Sequence, residues 1–193
     1  TTDEGVRAGV ASVVREVAGG SARNHVREQG ALKVLFSTMV SDSPAVQAQC
    51  CEAVAALASD AAARREIYQS HTEGISRLVV LLGGDDHLSA AGAAHALYWL
   101  CTNDGVGFGT GTGTDMMMRC LGVLSLPTGH SRDATCLDRM VALSTHTHEA
   151  CRYWSSEALR NVLSPPTHAN TMASASEAEL QAERDYQALF GSA

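Results

Sequence analysis

Apolar residues recur at intervals of three and four along most of the chain, which is the period of an amphipathic helix. Residues 30–59 show this pattern in two segments separated by a polar turn. In the turn, Pro44 suits the first position of a helix, and Ser43 is a candidate N-cap before it. The apolar positions are Leu32, Leu35, Phe36 and Met39, then Val46, Cys50, Ala53, Val54 and Leu57. This stretch therefore predicts two helices that share one apolar seam.

The two-helix pattern occurs three times. Shifted by 43 residues, it falls without a gap on residues 73–102, and a further shift of 62 places it on residues 135–163. Six positions are apolar in all three segments: Leu32, Leu35, Phe36, Ala53, Val54 and Leu57; Ile75, Leu78, Val79, Ala96, Leu97 and Leu100; Leu137, Met140, Val141, Ala158, Leu159 and Val162. Repeated helical units that bury their apolar faces against their neighbours predict a solenoid.

The repeats define a predicted organisation for the whole chain. Upstream, Val13, Val14 and Val17 occupy the positions of Ala53, Val54 and Leu57, so the chain begins inside a repeat and we expect it to be a fragment or a processed form. The final helix either caps the last repeat or docks as a tail. In chain order the predicted parts are an incomplete repeat at 1–22, repeats at 23–62 and 63–103, an insertion loop at 104–114, a third repeat at 115–163, a linker at 164–174 and a final helix at 175–190.

Composition and charge narrow the function classes. Hydrophobic residues make up 45% of the 193 residues and aromatic residues only 5%, so the predicted core is mainly Ala, Val, Leu, Met and Cys. A net charge of -7 argues against nucleic-acid binding, which needs a basic face, and leaves a basic peptide as a suitable partner. The six cysteines form no C-x-x-C pair, the sequence contains no run of 18 apolar residues, and we expect no signal peptide or membrane span. We therefore expect an intracellular, cytoplasmic protein.

Three segments resemble armadillo repeats. VQAQCCEAVAAL at 46–57, AAGAAHALYWL at 90–100 and SSEALRNV at 155–162 are similar to the V-Q-x-x-A-A-x-A-L-x-N-L element of that family. HEAT repeats are the class most easily confused with it, but the acidic turn and the A-L-x-N-L element favour armadillo. The resemblance covers roughly residues 10–163. It implies an all-α, right-handed superhelix of about three repeats, with a partial N-terminal repeat and a C-terminal helix.

In armadillo proteins the last helix of each unit lines a concave groove that binds an extended peptide or a partner helix. The resemblance therefore implies groove positions on three successive helices, extended at the start by Ser12 and Glu16. The seven predicted partner-binding residues are Gln49, Glu52, His95, Trp99, Trp154, Glu157 and Asn161, and the small Ala56 and Gly92 lie on the same faces. Nuclear-import adaptors of the family place Trp and Asn at such positions. Only Asn161 matches them, which argues against recognition of nuclear-localisation signals.

Each candidate has a structural alternative. Trp99 and Trp154 are candidate binding anchors, or they fill core between repeats; we favour the anchor role more for Trp154 than for Trp99. The Asn161 amide suits an extended peptide backbone, or it bonds near the end of its own helix. Glu52 and Glu157 would attract Arg or Lys of a ligand, or they are solvated helix charges.

One segment suggests a phosphate-binding loop and another suggests a metal site, but the residue spacing in each argues against that site. GVGFGTGTGTD at 105–115 lacks the third glycine of a dinucleotide fingerprint and any G-K-[ST], so we predict an insertion loop and no phosphate site. THTHEAC holds His146, His148 and Cys151, but we expect His146 in a turn, away from the face that His148 and Cys151 share. No nucleophile–base order is evident. We expect no enzyme activity, cofactor or metal.

The sequence thus predicts a non-enzymatic scaffold for protein–protein interaction. Two alternatives stay open. One is a structural subunit of a large cytoskeletal or ciliary assembly, held by many contacts. The other is the substrate-binding part of a larger ubiquitin ligase whose catalytic domain lies outside these residues.

Overall fold

The computed structural model describes residues 2–102, 122–128 and 134–163, and these residues are helical apart from short connections. Their named helices, in chain order, are α1 (Thr2–Ala18), α2 (Arg23–Glu28), α3 (Ala31–Thr38), α4 (Pro44–Ala58), α5 (Ala61–Ser70), α6 (Thr72–Gly83), α7 (His87–Leu100), α8 (Cys136–Leu143) and α9 (Glu149–Leu163). Within these ranges the β-structure is one isolated bridge between Pro127 and Thr135. The predicted insertion loop, linker and final helix lie outside the described residues.

Several helices begin at a side chain that accepts from their own backbone N–H groups. Asp60 accepts from Ala63 N at 3.0 Å, and Asp86 accepts from Ser89 N at 2.7 Å. At α8 the Thr135 and Asp138 pair forms a capping box. The predicted cap at Ser43 is only half right. Ser43 occupies the N-cap position and Pro44 starts α4, but the Ser43 side chain makes no cap hydrogen bond.

The helices form a stack in which α1, α4, α7 and α9 pack side by side in chain order. We call these four the ladder helices. Helices α3, α6 and α8 pack against α4, α7 and α9 respectively, so each repeat contributes a pair. Ladder helices approach closely where residues are small: a Cβ atom added to Gly92 of α7 would lie 2.9 Å from the Cβ of Cys51 in α4. This arrangement confirms the predicted all-α solenoid.

A recurring arginine links neighbouring repeats. Arg77 of α6 donates to the carbonyl oxygen of Phe36 in α3. Sixty-two residues later, the equivalent Arg139 of α8 donates to the carbonyl oxygens of Leu82 and Gly84, each at 3.1 Å, at the end of α6. Both arginines donate hydrogen bonds to backbone carbonyl oxygens near the C-terminal end of a helix in the preceding repeat. The last carbonyl groups of a helix have no partner within that helix, so they are free to accept such bonds. The repeat pattern of apolar positions did not predict a role for this arginine.

Predicted seam positions are more exposed in α1 and in α8 than in the middle of the stack. Val13 in α1 is 62% exposed, while its predicted equivalent Ala53 in α4 is fully buried. The expectation that Val13 lies in the seam is therefore wrong, because no described helix covers that side of α1. On the opposite side of α1, Ala11 and Ala18 are buried in the common core.

Candidate partner-binding surface

Helices α4 and α7 are joined by a polar contact between Glu52 and His95. The Glu52 Oε2 atom lies 3.0 Å from His95 Nδ1. The two residues are 43 positions apart and therefore occupy equivalent places in successive repeats. Gly92, one turn before His95, lets the helices approach: a Cβ there would lie 3.4 Å from Glu52 Oε1. The small residue and the polar pair together set the spacing of this junction.

The second ring nitrogen of His95 binds Trp99. The indole Nε1–H of Trp99 donates to His95 Nε2 at 3.1 Å. An indole N–H can only donate, so Nε2 must accept and Nδ1 must carry the proton that is donated to Glu52. These two hydrogen bonds therefore fix which ring nitrogen of His95 faces Glu52 and which faces Trp99. The hydrogen bond from its indole Nε1–H holds the half-buried Trp99 in place. A partner protein could contact the indole ring without contacting that nitrogen.

Trp154 of α9 closes the cluster from the other side. Its indole stacks on the His95 ring with centroids 3.6 Å apart and an angle of 9° between the planes. Tyr98 and Tyr153 pack against the same indole, at 5.4 Å and 4.8 Å between centroids. Such aromatic pairs each contribute about 0.5–1.5 kcal/mol beyond the area they bury. Helices α4, α7 and α9 are thus tied together by one cluster of Glu52, His95, Trp99 and Trp154.

The Glu52 carboxyl is held as an anion despite partial burial. Burial raises its pKa, but the hydrogen bond that it accepts from the His95 ring and the nearby Arg15 lower it, and the pKa of Glu52 lies below its ordinary value. Arg15 belongs to α1, so the electrostatic contact extends to the first ladder helix. Glu52 is therefore charged at neutral pH, and its carboxylate already interacts with His95 and Arg15 of the same chain.

Asn161 and Glu157 lie nearer the end of α9. Asn161 Nδ2 donates to Thr102 Oγ1 at 3.2 Å, which links α9 to the end of α7. Glu157 Oε1 lies 2.6 Å from Arg160 Nη1 on the same helix. The amide of Asn161 and the carboxylate of Glu157 thus already have partners within the chain. A ligand would add to these bonds or replace them.

Gln49 stands apart from the cluster. It lies one turn before Glu52 on α4 and is half-buried. Its Oε1 atom is buried and accepts no hydrogen bond within the described part of the chain. An unpaired buried amide oxygen is costly, so this acceptor would gain from a donor supplied by a ligand or by water.

The structure brings four of the seven predicted residues into direct contact, and it buries Trp154 more deeply than Trp99. Trp154 is only 5% exposed, whereas Trp99 is half-buried. The sequence analysis favours Trp154 over Trp99 as a binding anchor, but α9 turns Trp154 onto the His95 ring, so Trp99 is the more accessible of the two. Sequence reasoning missed Tyr98 and Arg15. Helical spacing alone does not place them beside the predicted residues, since both join through neighbouring helices.

The THTHEAC segment forms a turn and the start of α9. His146 Nδ1 accepts from the backbone N–H of His148 at 3.0 Å, and the ring of His148 lies 4.5 Å from that of His87. The thiol of Cys151 points to the carbonyl oxygen of His87, at 3.1 Å. Across the residues described, no three His, Cys, Asp or Glu side chains are placed to hold a metal ion.

The chain is similar to several solved helical repeat proteins. Two are engineered proteins, each 24% identical to it: one has a TM-score of 0.68 over 86% of this chain, and the other 0.67 over 95%. A designed armadillo repeat protein in complex with the peptide (KR)4 is 19% identical, with a TM-score of 0.58 over 77% of the chain. The chain spans 60%, 67% and 54% of these three proteins.

These similarities show a helical repeat fold, and one of the proteins is a designed armadillo protein. No family model matches the sequence, and the comparison with curated proteins finds no match. Assignment to the armadillo family therefore stays a prediction. No helix in the described ranges is long and apolar enough to cross a membrane.

Proposed function

We propose that the chain is a non-enzymatic scaffold that binds an extended peptide or a partner helix along the ladder helices. The observation that supports this most is the cluster at the junctions of α4, α7 and α9. It holds a half-buried tryptophan, Trp99, in a fixed orientation through His95 and Glu52. A rigid aromatic side chain that keeps part of its surface accessible loses little entropy when a partner binds it.

The surrounding charge favours a basic partner. The chain carries a net charge of -7, and Glu52 and Glu157 both lie on ladder helices. Arginine or lysine side chains of a peptide would be attracted to these carboxylates and would stack on the accessible part of Trp99. The designed armadillo protein that resembles this chain was solved with a peptide of alternating Lys and Arg. That protein's ligand is the reason for choosing such a peptide as the first probe.

The proposal is tested by peptide binding to the full chain. Fluorescence anisotropy of labelled (KR)4, compared with an uncharged Gly/Ser octapeptide, should show salt-sensitive binding of the basic peptide only. Trp99→Ala should weaken that binding about tenfold or more, since an aromatic anchor contributes about 2 kcal/mol. His95→Phe keeps a ring against Trp154 but removes the acceptor of the Trp99 indole. It should therefore weaken binding indirectly, through Trp99, because His95 itself is buried.

Val80→Ala is the matched control, because Val80 is an exposed apolar residue on α6, outside the ladder helices. It should leave affinity unchanged. Equal affinity of the wild type and Trp99→Ala, with helicity retained in both, would remove Trp99 from the site. If the folded full chain bound neither the basic peptide nor the uncharged one, the peptide-groove proposal would be contradicted.

A further inference from the structure

The hydrogen bond that fixes Trp99 exists in only one protonation state of His95. The Trp99 indole Nε1–H donates to His95 Nε2 at 3.1 Å, and His95 Nδ1 lies 3.0 Å from Glu52 Oε2. An unprotonated imidazole has one donor nitrogen and one acceptor nitrogen, which matches these two contacts. A protonated imidazolium has two donors and no acceptor. Proton uptake at Nε2 therefore places an N–H of His95 against the N–H of Trp99.

The surroundings of His95 keep its ring in place when it takes up a proton. The ring is stacked on Trp154 with centroids 3.6 Å apart, and His95 is only 8% exposed. The carboxylate of Glu52 accepts from Nδ1 in both protonation states, and it binds the charged ring more strongly than the uncharged one. Trp99 is half-buried and is not enclosed in this way. The side chain that moves is therefore Trp99.

The charged groups around His95 come from the helices that pack against α7. Glu52 is the one charged residue of α4, and Arg15 of α1 acts on that carboxylate. At the ring itself, α9 contributes the uncharged indole of Trp154. The charged side chains of α6 and α9 are Glu73, Arg77, Glu149, Arg152, Glu157 and Arg160. Glu52 is thus the anion in contact with the ring, and it favours the protonated state as the pH falls.

We propose that His95 is a proton-controlled clamp: protonation of its ring breaks the bond to Trp99, frees the indole and weakens partner binding. The loss of affinity rests on the proposed function, because it requires Trp99 to be the anchor. A basic partner is also repelled directly, since the protonated ring places a positive charge beside Glu52. The site therefore binds its partner at neutral pH and releases it in a mildly acidic environment.

Release of Trp99 is observable without any partner. The chain has two tryptophans, so isotope-labelled protein gives two indole N–H resonances in NMR spectra, which Trp99→Phe assigns. Between about pH 7.5 and about pH 5.5, where histidines ordinarily change charge, the Trp99 resonance should move upfield as it loses its acceptor. His95→Gln is the matched variant, because an amide oxygen can accept from the indole but takes up no proton in this range. Its Trp99 resonance should stay in place.

The consequence for binding is measured as the ratio of affinities at the same two pH values. Labelled (KR)4 should bind the full chain roughly three- to tenfold more weakly at the lower pH, as expected for the loss of one hydrogen bond. His95→Gln should show a smaller loss, which comes from the remaining histidines alone. His148→Asn should keep the wild-type ratio, because His148 also titrates but its ring packs against His87.

A Trp99 resonance that keeps its position at both pH values in the folded wild type would overturn the clamp. An equal loss of affinity in the wild type and in His95→Gln would also overturn it. Circular dichroism at both pH values checks that each protein is still helical. If (KR)4 bound at neither pH, the peptide-groove proposal would fail, and the indole resonances would still decide whether protonation frees Trp99.

Discussion

At the scale of single residues, His95 shows how one side chain connects three helices. Its two ring nitrogens serve Glu52 of α4 and Trp99 of its own helix, and its face supports Trp154 of α9. The resemblance to armadillo repeats implies that these residues are partner-binding candidates, because it places their helices along a groove. It does not predict that they contact one another, because contacts between helices depend on how far each helix slides along its neighbour.

A second histidine gives a prediction for the pH dependence of stability. Burial lowers the pKa of His148 below its ordinary value of 6.5, and His87 and His146 lower it further against the opposing effect of Asp86 and Glu149. The unfolded chain therefore takes up this proton more readily than the folded chain. Stability should fall as the pH drops below about 6.5, and the effect should be absent well above that pH.

The measurement is the free energy of unfolding in urea at pH values of about 7.5 and about 5.5, on either side of the ordinary histidine pKa, for the wild type and for His148→Asn. The variant lacks the titrating group, so acidification should destabilise it less than the wild type. His25→Asn, an exposed position on α2, should retain the full wild-type loss. An identical loss in His148→Asn and the wild type would show that other groups cause the pH dependence.

At the scale of helices, the chain relies on small residues where ladder helices meet and on arginines where the paired helices meet. Gly92 allows α7 to lie against α4, and Arg77 and Arg139 bond the preceding repeat. The existence of the helices is predictable from the 3.6-residue period, because that pattern is local. The exposed ends of α1 and α8 are not, since an apolar residue is buried only when another helix covers it.

Gly92→Ala tests the close approach of α4 and α7. Alanine normally stabilises a helix interior by about 0.5–1 kcal/mol relative to glycine. Here its Cβ would lie 2.9 Å from Cys51 Cβ and 3.3 Å from the Ala48 carbonyl oxygen, so the helices must separate. We expect a net destabilisation of about 1–3 kcal/mol in urea unfolding.

The matched control is Gly9→Ala on α1, where the added Cβ meets nothing within 4 Å apart from its chain neighbours and the adjacent backbone of its own helix. That change should stabilise the chain by about 0.5–1 kcal/mol, because only helix propensity is altered. If Gly92→Ala proved as stabilising as Gly9→Ala, the two ladder helices would have room that the structure does not show.

At the scale of the whole molecule, the stack has inner and outer members. Helices α4 and α7 each have a ladder helix on both sides, whereas α1 has one on a single side. In a linear array each unit gains its stability from its neighbours, so inner units are the most protected. Loss of one interface should therefore weaken the ends of the array before its middle.

Amide hydrogen exchange of the full chain checks this order. Backbone amides of α4 and α7 should exchange most slowly, and those of α1 should exchange faster, because opening α1 breaks only its contacts with α4 and the short helices beside it. Exchange at one uniform rate through α1, α4 and α7 would indicate a single cooperative unit in place of an array with separable ends.

The sequence by itself determined that the chain is helical, that its helices repeat, and that they join into a solenoid. These features depend on apolar spacing and on one pattern shifted along the chain, both of which are local. Only the tertiary structure decided which residues meet: His95 between Glu52 and Trp154, Arg139 at the end of α6, and Trp154 buried while Trp99 keeps an accessible surface. The physical reason is that a helical period fixes which side of a helix is apolar. It does not fix the axial position at which two helices pack, and contact between side chains depends on that position.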